Sequence, residues 1–318
     1  MKIAILNHSP YGNAGDNISN NLLRKAFLLQ GHECESIPFA SLWCSSFNSE
    51  NNCLAPNMVS YMTDKVLHDV NVVIPRIDAR SAGELEWILT IMEGVINNGA
   101  GSIIGVQAFR NAEDKGRSML LLTKNNISTP RGSIIGFYPG IDLDKLKELV
   151  LSLGGYPLVL KHPYGWGGMG VVKVESYNAL SSTLDFIGQL GYRGAILIQE
   201  FIPHDYCVSV AIVDNQIISV TAKMPDKDFR CKGGMNINEP LLKNEEDLVL
   251  ETAKVADIKA VTIDFVRSDR GPLVLEVNAC PGLCDPEDFP FAIAVSNYLE
   301  RNFTHKAGFQ SLTSIPLK

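Results

Sequence analysis

Apolar residues recur along this chain with two different periods, and the change between them divides it. Residues 2–7, KIAILN, form a short apolar run that predicts a buried strand. Asp16–Gln30 follows with apolar residues at helical spacing (Ile18, Leu22, Leu23, Ala26, Phe27, Leu29) until Gly31 stops it. Val70–Ile77 predicts another strand, Ala82 to about Asn97 another helix, and Ser102–Val106 is again short and apolar. Strand and helix in alternation predict a parallel α/β domain over about the first 110 residues. The second half differs. A helix with a polar start is expected over 111–126 (NAEDKGRSMLLLTKNN), an extended piece around Pro130, and helices over Asp142–Leu153 and Tyr177–Leu190. Ala195–Ile202, the stretch to about Val220, and 260–279 read as strands and hairpins, interrupted by a helix near 244–257. This half is α+β with antiparallel sheets. From about residue 303 the chain reads as a weakly tethered tail.

Between two strand-like pieces lies PLVLKHPYGWGGMGVVKV, residues 157–174, with Gly165, Gly167, Gly168 and Gly170 in six positions. Glycine density of this kind lets backbone approach a ligand, and phosphate is the first candidate. The order fits neither common phosphate loop. A Walker loop ends in Gly-Lys-Ser/Thr before a helix, whereas here Lys161 precedes the glycines. A dinucleotide fingerprint also needs a following helix, but Val171–Val174 is strand-like.

A second chemical signal lies in AVTIDFVRSDRGPLVLEVNACPG, residues 260–282, where two apolar segments flank the turn-forming SDRGP. Pairing Arg267 with Leu273 across that five-residue loop sets Asp264 opposite Glu276 and Thr262 opposite Asn278, all on one face. Val261, Ile263, Phe265, Leu273, Leu275 and Val277 then share the core face. Like charges directly opposed destabilise a strand pair. Two explanations stand: a solvated acidic face, or a divalent cation of Mg²⁺ type held by two carboxylates and an amide oxygen.

Composition narrows the setting. The chain has 318 residues, 46% hydrophobic and 20% charged, with a net charge of −7. That balance, with no Lys/Arg run, argues against a nucleic-acid or anionic-membrane partner. No apolar run reaches bilayer-spanning length, and the N-terminus lacks a signal-peptide core, so a cytoplasmic protein is expected. Seven cysteines (34, 44, 53, 207, 231, 280, 284) without a CxxC read as reduced thiols rather than a zinc set.

Taken in order, Lys161, GWGGMG, Gln199-Glu200-Phe201-Ile202, Asp264 and Glu276-Val277-Asn278-Ala279-Cys280-Pro281-Gly282 resemble the ATP-grasp superfamily, and within it the RimK-type carboxylate–amine ligases. VVIPRI at 72–77, AEDKGRSMLLL at 112–122, FRCKGG at 229–234 and RSDRGPLVLEVN at 267–278 extend the likeness over most of the chain. The resemblance implies an ATP-grasp fold of three domains: a Rossmann-like N-terminal domain over 1–110, a central lid domain over 111–198 and a C-terminal antiparallel-sheet domain over 199–302, with a tail at 303–318. It further implies that ATP binds between the two antiparallel sheets. Tyr164–Met169 (Gly165, Trp166, Gly167, Gly168, Met169) would then be the phosphate lid. Lys161 and Lys115 would contact the nucleotide, and Gln199, Glu200, Phe201 and Ile202 would form the hinge that reads adenine. Asp205 is a candidate for the ribose hydroxyls. Asp264, Glu276 and Asn278 match the family's magnesium ligands, for two Mg²⁺ ions that Mn²⁺ can replace. Arg230 and Lys232 are the basic candidates beside the transferring phosphoryl group. The implied reaction is ATP-dependent amide formation between a carboxylate and an amine through an acyl-phosphate, in a homo-oligomer. A phosphotransferase and a non-catalytic nucleotide-binding protein are the alternatives. Two departures touch the substrate side: Cys207 stands where an Arg is usual, and the loop before Gly233-Gly234 is shorter by about three residues.

Overall fold

A computed structural model describes the chain except residues 8–13, 40–41, 46–56, 61–64, 67–69, 139–141, 226–227, 231–235, 238–239, 284–285 and 305–318. The expected tail lies almost wholly outside the described residues. By internal contacts the chain divides into two compact units: Met1–Ile77 with Glu86–Val106 and the chain from Cys280 on, and Asp78–Leu85 with Gln107–Ala279.

The first unit begins with β1 (Lys2–Asn7), α1 (Ala14–Leu29) and β2 (Glu33–Pro38). Three short antiparallel strands follow, β3 (Leu42–Ser45), β4 (Asn57–Ser60) and β5 (Lys65–Val66). Then come β6 (Val72–Arg76), α2 (Ala82–Asn97) and β7 (Gly101–Ser102). The main sheet runs β2-β1-β6-β7, all parallel, as the strand–helix alternation predicts. Its strand β1 is buried from Ile3 through Asn7, which is why KIAILN shows no alternation. In α1 only Leu23, Ala26 and Phe27 of the expected apolar face are buried; Ile18 and Leu29 are exposed. Of Ser102–Val106 only Ser102, the end of β7, and an isolated bridge at Ile104 are extended, because α3 already begins at Val106. β2 and the C-terminal helix Phe289–Phe303 carry no signal picked out in the sequence. That helix packs on α1, where Ser296 Oγ donates to Gln30 Oε1 at 2.7 Å.

The second unit opens with two helices where one was expected: α3 (Val106–Glu113) and α4 (Lys115–Lys124). Asp114 separates them. It lies in extended backbone as the N-cap of α4, its carboxylate accepting from the N–H groups of Gly116 and Arg117, a cap worth about 1 kcal/mol. A four-stranded antiparallel sheet follows, ordered β10-β9-β11-β8, from β8 (Gly132–Phe137), β9 (Leu158–Lys161), β10 (Val171–Val174) and β11 (Gly194–Glu200). It closes a core with α5 (Leu143–Ser152) and α6 (Tyr177–Gln189), filled by Phe137, Leu146, Leu158, Leu160, Leu180 and Ile198. The remaining elements are β12 (Cys207–Val213), β13 (Gln216–Lys223), β14 (Asn236–Ile237), α7 (Lys243–Ala256), β15 (Ala260–Ser268) and β16 (Gly271–Asn278). They build a five-stranded antiparallel sheet, β14-β13-β12-β15-β16. α7 is anchored by Glu245, a 1% exposed carboxylate that accepts the Leu242 N–H and two donors of Arg267.

Candidate active site

The β15–β16 hairpin carries the acidic residues in the expected register at its open end: Asp264 faces Glu276 and Thr262 faces Asn278. Toward the turn the register slips by one. Phe265 pairs with Val274, Val266 with Leu273 and Arg267 with Pro272, so the loop has two residues and not five. The difference is absorbed by a β-bulge at Leu275, which re-aims that side chain. Leu275 therefore leaves the core face expected for it and lines a cavity beside Glu276, while Val266 and Val274 fill the core.

Asp264 is held from two sides. Ser209 Oγ on β12 donates to Oδ1 at 2.6 Å, and Asn278 Nδ2 donates to Oδ2 at 3.1 Å. Desolvation, and then the Glu276 charge, push the Asp264 carboxyl up to about 6, against the pull of those hydrogen bonds. The Asn278 amide nitrogen thus serves Asp264, and its oxygen is the group left to a cation. Two carboxylates repelling across a strand pair beside an amide oxygen are a donor set suited to Mg²⁺.

Between the sheets lies a cavity open to solvent, about 370 Å³ with the adjoining solvent space counted. Lys115, Ser118, Met119 and Leu122 of α4 line it, with Thr129, Lys161, Leu197 and Gln199 from the lid sheet and its approach, and Val274–Val277 from β16. Lys161 ends β9 and reaches this cavity. Among the described residues its ammonium makes no hydrogen bond or ion pair. Desolvation lowers its ammonium to about 8, partly offset by Glu276 and reinforced by Lys115. Lys115 is differently placed: its Nζ donates to the Gly165 carbonyl and lies 3.3 Å from Glu276 Oε1. The α4 N-terminus is fastened to the loop as well, Lys115 N–H donating to Pro163 O at 3.0 Å and Tyr164 Oη to Asp114 at 3.2 Å.

The glycine loop between β9 and β10 closes with His162 N–H on Gly170 O at 2.8 Å. Gly165, Gly167, Gly168 and Gly170 all have positive φ. Gly170 combines φ +70° with a close approach: a Cβ there would sit 2.8 Å from His162 Cβ. Within the loop Met169 is exposed, and the Trp166 indole N–H is buried without an acceptor among the described residues. Arg230 reaches this loop, donating from Nη1 to Gly168 O at 2.9 Å, while Asp228 takes its Nε at 2.9 Å. Lys232 lies outside the described residues.

On the hinge, strand alternation sends Gln199 into the cavity, where it is 5% exposed, and Glu200 to the opposite face. Phe201 lies beneath the Lys173 ammonium, 4.4 Å from the ring centroid, and edge-on to Phe229. Neither Phe201 nor Ile202 lines the cavity, and Asp205 is exposed. Sequence reasoning missed Ser209, Leu275 and Glu113. Glu113 accepts the Ala79 N–H at 2.9 Å, and its carboxyl is raised to about 8 by desolvation and by Asp78. Cys207 is disulfide-bonded, contrary to the expectation of reduced thiols throughout; Cys34 and Cys280 are thiols outside any disulfide.

Two antiparallel sheets flank a cavity lined by Lys115, Lys161 and Glu276, with Asp264 opposite Glu276 on the hairpin and the glycine loop tied to Lys115, an arrangement of ATP-grasp type. Residues 112–293 match the RimK-like ATP-grasp domain, and the chain belongs to that family. It is 30% identical over 290 residues to the "Probable alpha-L-glutamate ligase" of Shewanella loihica, covering 89% of each chain. To the ribosomal protein bS6–L-glutamate ligase of Shigella boydii it is 29% identical, again over 89% of each. The fold is similar to the crystal structure of a RimK domain ATP-grasp protein from Sphaerobacter thermophilus (TM-score 0.70, 17% identity, 94% of this chain and 99% of that one). It is similar also to D-alanyl-alanine synthetase A from Vibrio cholerae (TM-score 0.72, 15% identity, 96% and 97%). No described helix is long and apolar enough to cross a membrane.

Proposed function

We propose that the protein is an ATP-dependent carboxylate–amine ligase that makes an amide bond through an acyl-phosphate. The observation that carries this reading is Lys161: a desolvated ammonium with no hydrogen-bonded partner among the described residues, in the same cavity as Glu276. An unpaired charge in such a place is expensive unless an anion completes it. ATP phosphates supply that anion, with the apolar wall of Met119, Leu122, Leu197 and Leu275 receiving the base and Gln199 at the hinge reading it. The loop from Gly165 to Met169 covers the phosphates. Asp264, Glu276 and the Asn278 oxygen would hold Mg²⁺, two ions in the active complex with Mn²⁺ as a substitute. The metal's contribution when bound is to neutralise charge on the phosphate oxygens.

The chain's own part is positioning and charge balance. The substrate carboxylate attacks the γ-phosphate, ADP leaves, and an amine displaces phosphate from the acyl-phosphate. Lys161 offsets charge at the phosphates, and Arg230, freed from Gly168 or acting beside it, serves the transferring group together with Lys232. No enzyme nucleophile is needed. The division at residues 110, 198 and 302, a cytoplasmic setting and a homo-oligomeric state accompany this reading. L-Glutamate is the first amine to test, since the relatives are named for it. With the acid alone, ADP release should be slow and hydroxylamine should trap a hydroxamate. Adding the amine should raise the rate to one ADP per amide. A stable phosphorylated product that accumulates at full rate without amine would make the protein a phosphotransferase instead.

A further inference from the structure

The family resemblance assigns Glu200 to the nucleotide, yet its carboxylate is fully engaged elsewhere. Oε1 accepts the Arg131 backbone N–H at 2.6 Å and the Arg270 guanidinium. Oε2 accepts Arg131 Nε at 3.0 Å and Nη2 at 2.9 Å. The carboxylate is 10% exposed, and its neighbour Gln199, not Glu200, lines the cavity. Burial opposes its charge, but the hydrogen bonds from Arg131 and Arg270 outweigh this and hold the carboxyl below the usual range.

What these partners belong to gives the arrangement its meaning. Arg131 immediately precedes β8, and Thr129, two residues before it, lines the cavity. Arg270 sits in the turn of the β15–β16 hairpin, four residues from Val274, which lines the cavity from the other side. Val274 N–H also donates to Ser128 O at 2.8 Å. One carboxylate therefore joins the hinge strand, the entry to the lid sheet and the hairpin that carries Asp264 and Glu276. Exposed ion pairs add little stability by themselves. A bidentate Arg–carboxylate pair with a second guanidinium fixes geometry more than it adds energy.

Resting on the ligase reading above, we propose that Glu200 is a positioning residue: through Arg131 and Arg270 it sets the separation of the two sheet walls between which the nucleotide lies. It acts through these arginines and does not touch the ligand.

The test is calorimetric titration of the full chain with ADP, and with 2′-deoxy-ADP, in Mg²⁺. Glu200→Gln and Arg270→Met should each weaken ADP about 5- to 20-fold, with Tm within about 2 °C of wild type. The double variant should be no weaker than the worse single one, as for residues sharing one interaction. Arg270→Lys should recover part of the loss, and the ADP to 2′-deoxy-ADP preference should stay unchanged. Should Glu200→Gln fail to fold, Arg270→Met, in an exposed turn, carries the test alone. Normal binding by Arg270→Met overturns the proposal. So does a changed 2′-deoxy preference in Glu200→Gln, which would mean direct contact with the nucleotide. Failure of the wild-type chain to bind ADP overturns the ligase reading itself, a result distinct from either.

Discussion

Replacing Asp264 by Asn should stabilise the metal-free protein while destroying its response to Mg²⁺. The Asp264 carboxyl is raised from 3.8 to about 6, desolvation first and Glu276 second. A shift of about two units, at about 1.4 kcal/mol each, makes the ionised form cost about 3 kcal/mol. An amide of nearly the same shape stands in for the protonated acid. Imperfect hydrogen bonding to Ser209 and Asn278 reduces the gain to about 1–3 kcal/mol at pH 7. For a unit of this size that is a rise of roughly 3–9 °C in Tm. The sign with pH follows from linkage. Between about pH 4 and 6 the folded state binds more protons than the unfolded one, so wild-type stability falls as pH rises through that window. The gap between variant and wild type should therefore close at pH 4 and be full above pH 6. The assay is thermal unfolding in EDTA at pH 4, 5, 6 and 7, repeated with Mg²⁺ and ADP, which should raise Tm in the wild type only. A variant no more stable than wild type at pH 7, or a gap independent of pH, would refute the reasoning.

Lys161→Met should likewise raise the metal-free Tm at pH 7 and weaken ADP at least tenfold by calorimetry. Because the Lys161 ammonium is lowered to about 8, wild-type stability should climb relative to the variant between about pH 8 and 10.5; parallel profiles would contradict this. Gly170→Ala, with positive φ and the His162 Cβ in its way, should cost about 1–3 kcal/mol in denaturant unfolding, and a neutral result would mean the loop relaxes freely. Hydrogen exchange over Gly165–Gly170 should slow on adding Mg²⁺ and an ATP analogue; unchanged exchange would count against this loop as a phosphate lid.

The acidic hairpin was legible because alternation and charge agree on one register: only with Asp264 opposite Glu276 do Val261, Ile263 and Val277 share a buried face. Its turn was not, since a bulge has no composition of its own, and an apolar Leu275 suits core and cavity wall alike. The break at Asp114 was hidden for a similar reason. An Asp within a run of helix formers signals a cap only once the backbone on its N-terminal side is known to turn away. The C-terminal helix was passed over because Phe289–Phe303 follows a cysteine–proline-rich stretch, and its partner α1 lies far away in sequence. Lys115 and Lys161 could be named from sequence, but not their difference in state. That depends on the Gly165 carbonyl and Glu276, brought to Lys115 by the fold.

Lys115 gives Glu276 a resident counterion. Its ammonium pairs with Glu276 and holds the Gly165 carbonyl of the glycine loop, so on the ligase reading a cation that binds Glu276 would enter by exchange and not by simple addition. Each incoming contact to Glu276 would displace an existing one, and the net affinity would be the difference between the two sets.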